Sequence, residues 1–447
     1  MMILPGFVLY YAGMVREAKV VKVVEVVLSI SIVVTLAWFA FGYSLSFGPV
    51  TSGRADSTPI YGDGTRLWLR GLKRGNVHQN APTVPEATYC TFQLAFAIVT
   101  SVLVIGSVAD RVKLGSACLF TLLWHLTVYC PIAHAVWHKD GFLYQAGVLD
   151  FAGGNVVHIS SGCSALVACA VVGNKFGFSK SRFFPNNMLS TFTGVCLLSI
   201  GWLGFNGGSA LNVSSGEASM AVLNTIISFA AGSMSWSFLD SALNMGNAAG
   251  FDDFHKDGSS FFGMTNGCIA GLVSITPACG YVDANGAFWI GVIGGLGCNL
   301  GAKLKHYVGW DDALDAFGIH ATGGTIGTIL TGFFAVPMYA NGAGSVFYSG
   351  LEAGGTQLGV QIYAVVVCAA WSALATLAII VPIDLTLGMR CPDADELVLS
   401  KGMSDTLDKE RRGHMVDSFR SQPPSRDREA SSGDGFSPVL PSIPESE

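Results

Sequence analysis

Apolar residues gather in eleven blocks, at about 1–14, 23–47, 88–109, 114–135, 146–173, 188–211, 218–239, 261–281, 286–304, 313–337 and 358–387. Most blocks reach the roughly 20 residues a helix needs to cross a bilayer. Lipid offers no partner to a free N–H or C=O, so each block is predicted to be helical. From about residue 390 the pattern stops. The stretch 390–447 is rich in Ser, Pro, Asp, Glu and Arg, and beyond about 413 it reads as disordered.

Composition supports this reading. The chain has 447 residues, 51% hydrophobic and 13% charged, with a mean hydropathy of +0.49. A soluble domain carries about 25% charged residues. The expected fold class is therefore an all-α polytopic membrane protein with eleven transmembrane helices. The 55 glycines suit helices packed backbone to backbone. The eleven cysteines include no Cys-x-x-Cys pair and read as small core residues, neither a disulfide frame nor a metal site. No nucleic-acid footprint is visible.

Basic residues in the connections set an orientation. Alternate connections hold Arg16, Lys19, Lys22, Arg111, Lys113, Lys175, Lys180, Arg182, Lys256, Lys303 and Lys305, eleven in all; the opposite set holds six, five of them in the single stretch Arg54–Arg74. The first set is predicted to face the cytoplasm, with the N-terminus outside and the C-terminus inside. Blocks one to five and six to ten then have opposite topology, an inverted 5+5 repeat plus one helix. The membrane domain is expected over 1–389, its halves at about 1–173 and 188–337, helix eleven at 358–387, and a cytoplasmic tail over 390–447.

Two apolar blocks carry the same ionisable pattern: Asp, seven residues, His, three residues, Gly. It reads Asp150-Phe-Ala-Gly-Gly-Asn-Val-Val-His158-Ile-Ser-Ser-Gly162 and Asp312-Ala-Leu-Asp-Ala-Phe-Gly-Ile-His320-Ala-Thr-Gly-Gly324. Ionisable groups inside a bilayer mark a pathway or site by default. In an inverted repeat the two histidines come from facing helices and can meet at midplane. Two neutral imidazoles there can accept a proton and pass it on. Asp150 can fix the helix by accepting backbone hydrogen bonds, or favour a cation electrostatically. The same alternatives apply to Asp312 and Asp315, with the structural role stronger.

These stretches resemble the ammonium transporter family (Amt/Mep, with the Rh proteins as distant relatives), on its Amt/Mep branch. So do Pro5-Gly-Phe-Val-Leu-Tyr-Tyr-Ala-Gly-Met-Val-Arg16, Phe92-Gln-Leu-Ala-Phe96, Pro131-Ile-Ala-His-Ala-Val-Trp137, Gly201-Trp-Leu-Gly-Phe-Asn-Gly-Gly-Ser209 and Ala270-Gly-Leu-Val-Ser-Ile-Thr-Pro277, all in order. The resemblance implies a homotrimer in the plasma membrane, one narrow pore per subunit and transport of ammonium, with methylammonium as analogue. It places Trp137, Phe96 and Ser209 at an outer recruitment site, Phe96 and Phe205 as a stacked gate, His158 and His320 as a pore pair, and Trp202, Tyr11 and Gln93 along the wall. It implies no cofactor and no bond-making chemistry.

Two departures stand out. Members carry roughly fifteen more residues before the Pro5-Gly6 turn, so the first helix reads as truncated. The tail matches the family only in part, at Asp393-Ala-Asp-Glu-Leu-Val-Leu-Ser-Lys-Gly402, and its serines offer sites for regulators. Two rival readings are an ammonium sensor on the same pore fold and an intramembrane metal hydrolase. The hydrolase lacks a His-Glu-x-x-His pattern or a third clustered ligand.

Overall fold

The computed structural model describes residues 2–48, 58–175, 178, 186–246 and 261–391. All of these fall in one unit, Met1–Asp393; a second unit, Ala394–Glu447, lies outside them, and with it nearly all of the polar tail.

Helices dominate, and among the described residues eight are long and apolar enough to cross a bilayer by length and composition. Ile3–Met14 and Phe261–Ile275 are shorter apolar helices. In the block expected at 313–337, a π-helical turn Ala316–Ala321 runs into the helix Thr322–Phe334. The only sheet among the described residues is a hairpin, Val77–His78 against Ala81–Pro85.

Helix bounds move from the sequence expectation where side chains or backbone intervene. The last helical stretch, expected from 358, begins with a short turn at Val346, breaks at Gly350 (φ 74°) and then runs on to Thr386. The block at 261–281 is helical only to Ile275, because Thr276 and Pro277 turn their carbonyls to the Asp150 segment. Pro131 has no N–H to give to the carbonyl four residues back. A π-helical turn, His125–Tyr129, precedes it, and the Trp371 indole donates to the Thr127 carbonyl at 3.0 Å.

Close packing follows the glycines. A methyl group on Gly232, Gly267, Gly271, Gly291 or Gly295 would meet backbone of a neighbouring helix at under 3 Å. This is the small-residue interface expected where van der Waals contact, not hydrophobic burial, joins helices in lipid. The eleven cysteines are all free.

The two Asp/His stretches are built alike, at a constant offset. The residue after each aspartate docks on the end of another helix: Phe151 N–H donates to the Pro277 carbonyl (3.0 Å) and Ala313 N–H to the Ser107 carbonyl (3.1 Å). Three residues after each aspartate the backbone turns left-handed, at Gly153 (φ 115°) and Asp315 (φ 55°). A π-helical turn then carries the histidine, in Gly154–Ile159 and Ala316–Ala321. A wide turn is a frequent mark of a functional segment.

Candidate functional site: a ring column ending in a histidine pair

His158 and His320 meet, both buried, with Nδ1 to Nδ1 at 3.2 Å and ring centroids 5.2 Å apart. Two facing ring nitrogens at that distance share one hydrogen, so one imidazole donates and the other accepts. The spacing in the sequence motif explains the approach. Gly162 sits against the backbone of Ala321, and a methyl group on Gly324 would lie 2.8 Å from His158 Cβ. The glycine four residues after each histidine lets the two helices cross at the histidines.

Asp150 closes the start of the first histidine helix. Its Oδ1 accepts from the N–H groups of Gly153 (2.8 Å) and Gly154 (2.6 Å), and its Oδ2 from Asn155 (2.8 Å) and Val156 (3.3 Å). Four free N–H groups at a helix start are satisfied by one carboxylate. Asp312 accepts from Phe317 N–H through Oδ2 (2.8 Å), and Asp315 pairs with Lys305 at 2.6 Å.

A cavity of about 190 Å³ opens at the Asp150 end. Trp137, Phe96, Ser209 and Gln93 line it, as does Asp150. The Trp137 indole N–H donates to the Asp150 carbonyl (2.9 Å), which fixes the ring plane. The Ser209 hydroxyl donates to the Phe205 carbonyl (2.9 Å), leaving its oxygen lone pairs to accept. Phe96 stacks on Phe205 with centroids 3.6 Å apart and meets Trp137 edge-on at 5.2 Å.

From there the rings continue. Phe205 lies 6.0 Å from Trp202, and Trp202 stacks on His158 at 5.4 Å and 14°. The Trp202 indole donates to Thr276 (2.9 Å). Neither Trp202 nor Tyr11 of the expected wall residues lines this cavity. Tyr11 is buried against Phe7, Tyr10 and Gly106.

Sequence reasoning missed other cavity residues. Asn80 arrives from the hairpin and donates to the Trp137 carbonyl (2.9 Å); Glu217 opens the helix Glu217–Gly246, and Tyr281 comes from the turn after Ile275. None lies in a stretch that had drawn notice, and only tertiary contact groups them. No cluster of three or more His, Cys, Asp or Glu able to hold a metal occurs among the described residues.

The family profile described as Ammonium Transporter Family matches residues 1–402. The chain belongs to that family. It is 37% identical to an ammonium transporter of Bacillus subtilis over 91% of this chain and 94% of the relative. It is 35% identical to ammonium transporter 1 of Dictyostelium discoideum, over 88% and 81%. Among solved structures it resembles Mep2 of Saccharomyces cerevisiae, with a TM-score of 0.76, 32% identity and coverage of 88% and 84%. As a member of the ammonium transporter family the protein is a multi-pass membrane transporter of ammonium, not an enzyme.

Proposed function

We propose that ammonium is captured in the Trp137 cavity, loses a proton there, and crosses as ammonia past the Phe96–Phe205 stack to the His158–His320 pair. The observation that carries this reading is the unbroken file of rings from Trp137 to His320. Aromatic faces attract a small cation without a full countercharge. Ser209 supplies a hydroxyl acceptor and Gln93 an amide beside it. The Phe stack is too apolar to replace the water that ammonium sheds, so the charged form stops there. Potassium, similar in size, has no proton to give up. In this reading the proton given up in the cavity travels apart from the ammonia, and the histidine pair hands it on past the Phe stack.

The same reading has the transporter act as a homotrimer in the plasma membrane, with the N-terminus outside, the C-terminus cytoplasmic and eleven spans within 1–389. The tail, 390–447, is where regulators would act.

The test is methylammonium uptake and ammonium-limited growth in yeast lacking its own ammonium transporters. His158→Ala and His320→Ala are expected to abolish transport or its preference over potassium while the protein still reaches the membrane. Trp137→Leu is expected to raise the apparent KM more than it lowers the maximal rate. Wild-type rates and selectivity in both histidine variants would remove the relay. A change confined to the maximal rate would remove Trp137 from capture.

A further inference from the structure

Residues 148–153 form neither helix nor strand, although they lie next to the cavity and the histidine helix. Their backbone groups must therefore find partners in other segments. At the far end of the stretch, Phe151 N–H donates to the Pro277 carbonyl (3.0 Å) and Ala152 N–H to the Thr276 carbonyl (3.2 Å). At the near end the partners are two glutamines, one turn apart on the last helix. Gln361 is fully buried and takes both backbone groups of Leu149. Leu149 N–H donates to its Oε1 (2.9 Å), and its Nε2 donates to the Leu149 carbonyl (2.8 Å). The same Nε2 donates to the Thr328 carbonyl (3.1 Å), on the helix Thr322–Phe334 that follows His320. Gln357 donates to Gln361 Oε1 (3.3 Å) and to the Gly147 carbonyl (3.0 Å). The Gln361 amide thus uses both of its hydrogens and both of its lone pairs.

The helix that carries Gln361 brings neither histidine, and it contributes no residue to the lining of the cavity. Its link to the cavity runs through backbone. The carbonyl held by Gln361 and the carbonyl that receives the Trp137 indole N–H (2.9 Å) are consecutive along the chain, at Leu149 and Asp150. Asp150 is therefore held between two clamps, Gln361 before it and Pro277 after it.

We propose that Gln361 is a positioning residue for ammonium capture. It fixes Leu149 against the helix that follows His320, and through the Asp150 carbonyl it fixes the plane of the Trp137 ring. The assignment rests on the capture reading above. A ring attracts a cation over its face, so the strength of capture depends on where that face points. Flux at saturating ammonium depends on the rings further along the file, which Gln361 does not touch.

Gln361→Met keeps the length of the side chain and removes the amide. Methylammonium uptake is measured over a concentration series in yeast lacking its own ammonium transporters, with the transporter at the membrane quantified. The set is wild type, Gln361→Met, Trp137→Leu and the double variant. Gln361→Met is expected to raise the apparent KM about three- to tenfold, the scale of one or two neutral hydrogen bonds, with the maximal rate per molecule unchanged. In the Trp137→Leu background it is expected to add nothing, because the ring it orients is gone. A glutamine that only supports the fold would lower the amount or the maximal rate of the transporter, and would act alike in both backgrounds. Gln361→Glu takes up a proton when buried and keeps an acceptor and one donor for Leu149, so its KM is expected within about twofold of the wild type. Where Gln361→Met does not reach the membrane, Gln357→Met, which loosens the same clamp, goes through the same cycle. An unchanged KM, or an equal rise in both backgrounds, overturns the assignment alone. A wild-type KM in Trp137→Leu overturns the capture reading, and the assignment with it.

Discussion

The crossing of the two histidine helices gives the sharpest structural prediction, through Gly324→Ala. The added methyl carbon would lie 2.8 Å from His158 Cβ, 2.9 Å from the Gly154 carbonyl oxygen and 3.2 Å from Ile159 Cγ1. Unstrained carbon–carbon contact needs about 3.5–4.0 Å, so the helices must part by roughly 0.7–1.2 Å. None of the three neighbours is the free end of a flexible side chain. The Nδ1–Nδ1 hydrogen bond at 3.2 Å would open to about 4 Å, beyond hydrogen-bond reach. Overpacking of this kind costs about 1–3 kcal/mol, and the lost hydrogen bond adds about 1 kcal/mol. The expected result is a lower melting temperature in detergent, together with methylammonium uptake reduced about tenfold or more, at 1.4 kcal/mol per tenfold. Gly162→Ala, whose methyl group would meet the Ala321 backbone, should behave alike. Gly359→Ala, with nothing within 4 Å, is the control and should match the wild type. Gly324→Ala with wild-type melting and uptake would refute the idea that helix approach at this glycine sets the histidine pair.

Two further outcomes follow from the buried charges. Asp150→Ala leaves four N–H groups without an acceptor and is expected to destabilise the protein by about 3 kcal/mol or more, read by thermal unfolding. Asp150→Asn keeps one acceptor oxygen: if it folds and transports, the role is capping, and if it folds without transporting, the charge itself is needed. Asp110→Asn removes one of the two carboxylates facing the buried Arg111 and should cost about 3 kcal/mol. Burial pushes the Asp110 carboxyl up, but Lys175 and Arg111 more than offset it and take it down to about 2. A depressed carboxyl stabilises the fold above its unfolded pKa. That contribution is present at neutral pH and is lost as pH falls from about 3.8 towards about 2. Acid unfolding that is identical in wild type and Asp110→Asn would remove Asp110 from that balance.

Much of this protein was legible in one dimension, because a bilayer is a severe solvent. A run of about 20 apolar residues in lipid must be helical, so the blocks and the fold class follow from the sequence. The matched Asp-His-Gly spacing also follows, since ionisable residues are rare enough in such blocks to stand out. The spacing marked His158 and His320 as partners, and the glycines as part of the same device. It could not say that the rings meet through Nδ1, or that four backbone N–H groups converge on Asp150. Those facts depend on which atoms of distant segments share a few ångströms. The Asp150 and Asp312 motifs share the spacing of their Asp, His and Gly, and what the spacing does not record is how many backbone N–H groups turn towards each carboxylate. The cavity residues Asn80, Glu217 and Tyr281 were invisible for the same reason: each sits in an unremarked stretch, and only the folded helices bring them to one place. The sequence determines what each segment must be to exist in lipid. The tertiary structure decides which side chains then face one another, because hydrogen bonding and close packing act over distances that chain order does not record.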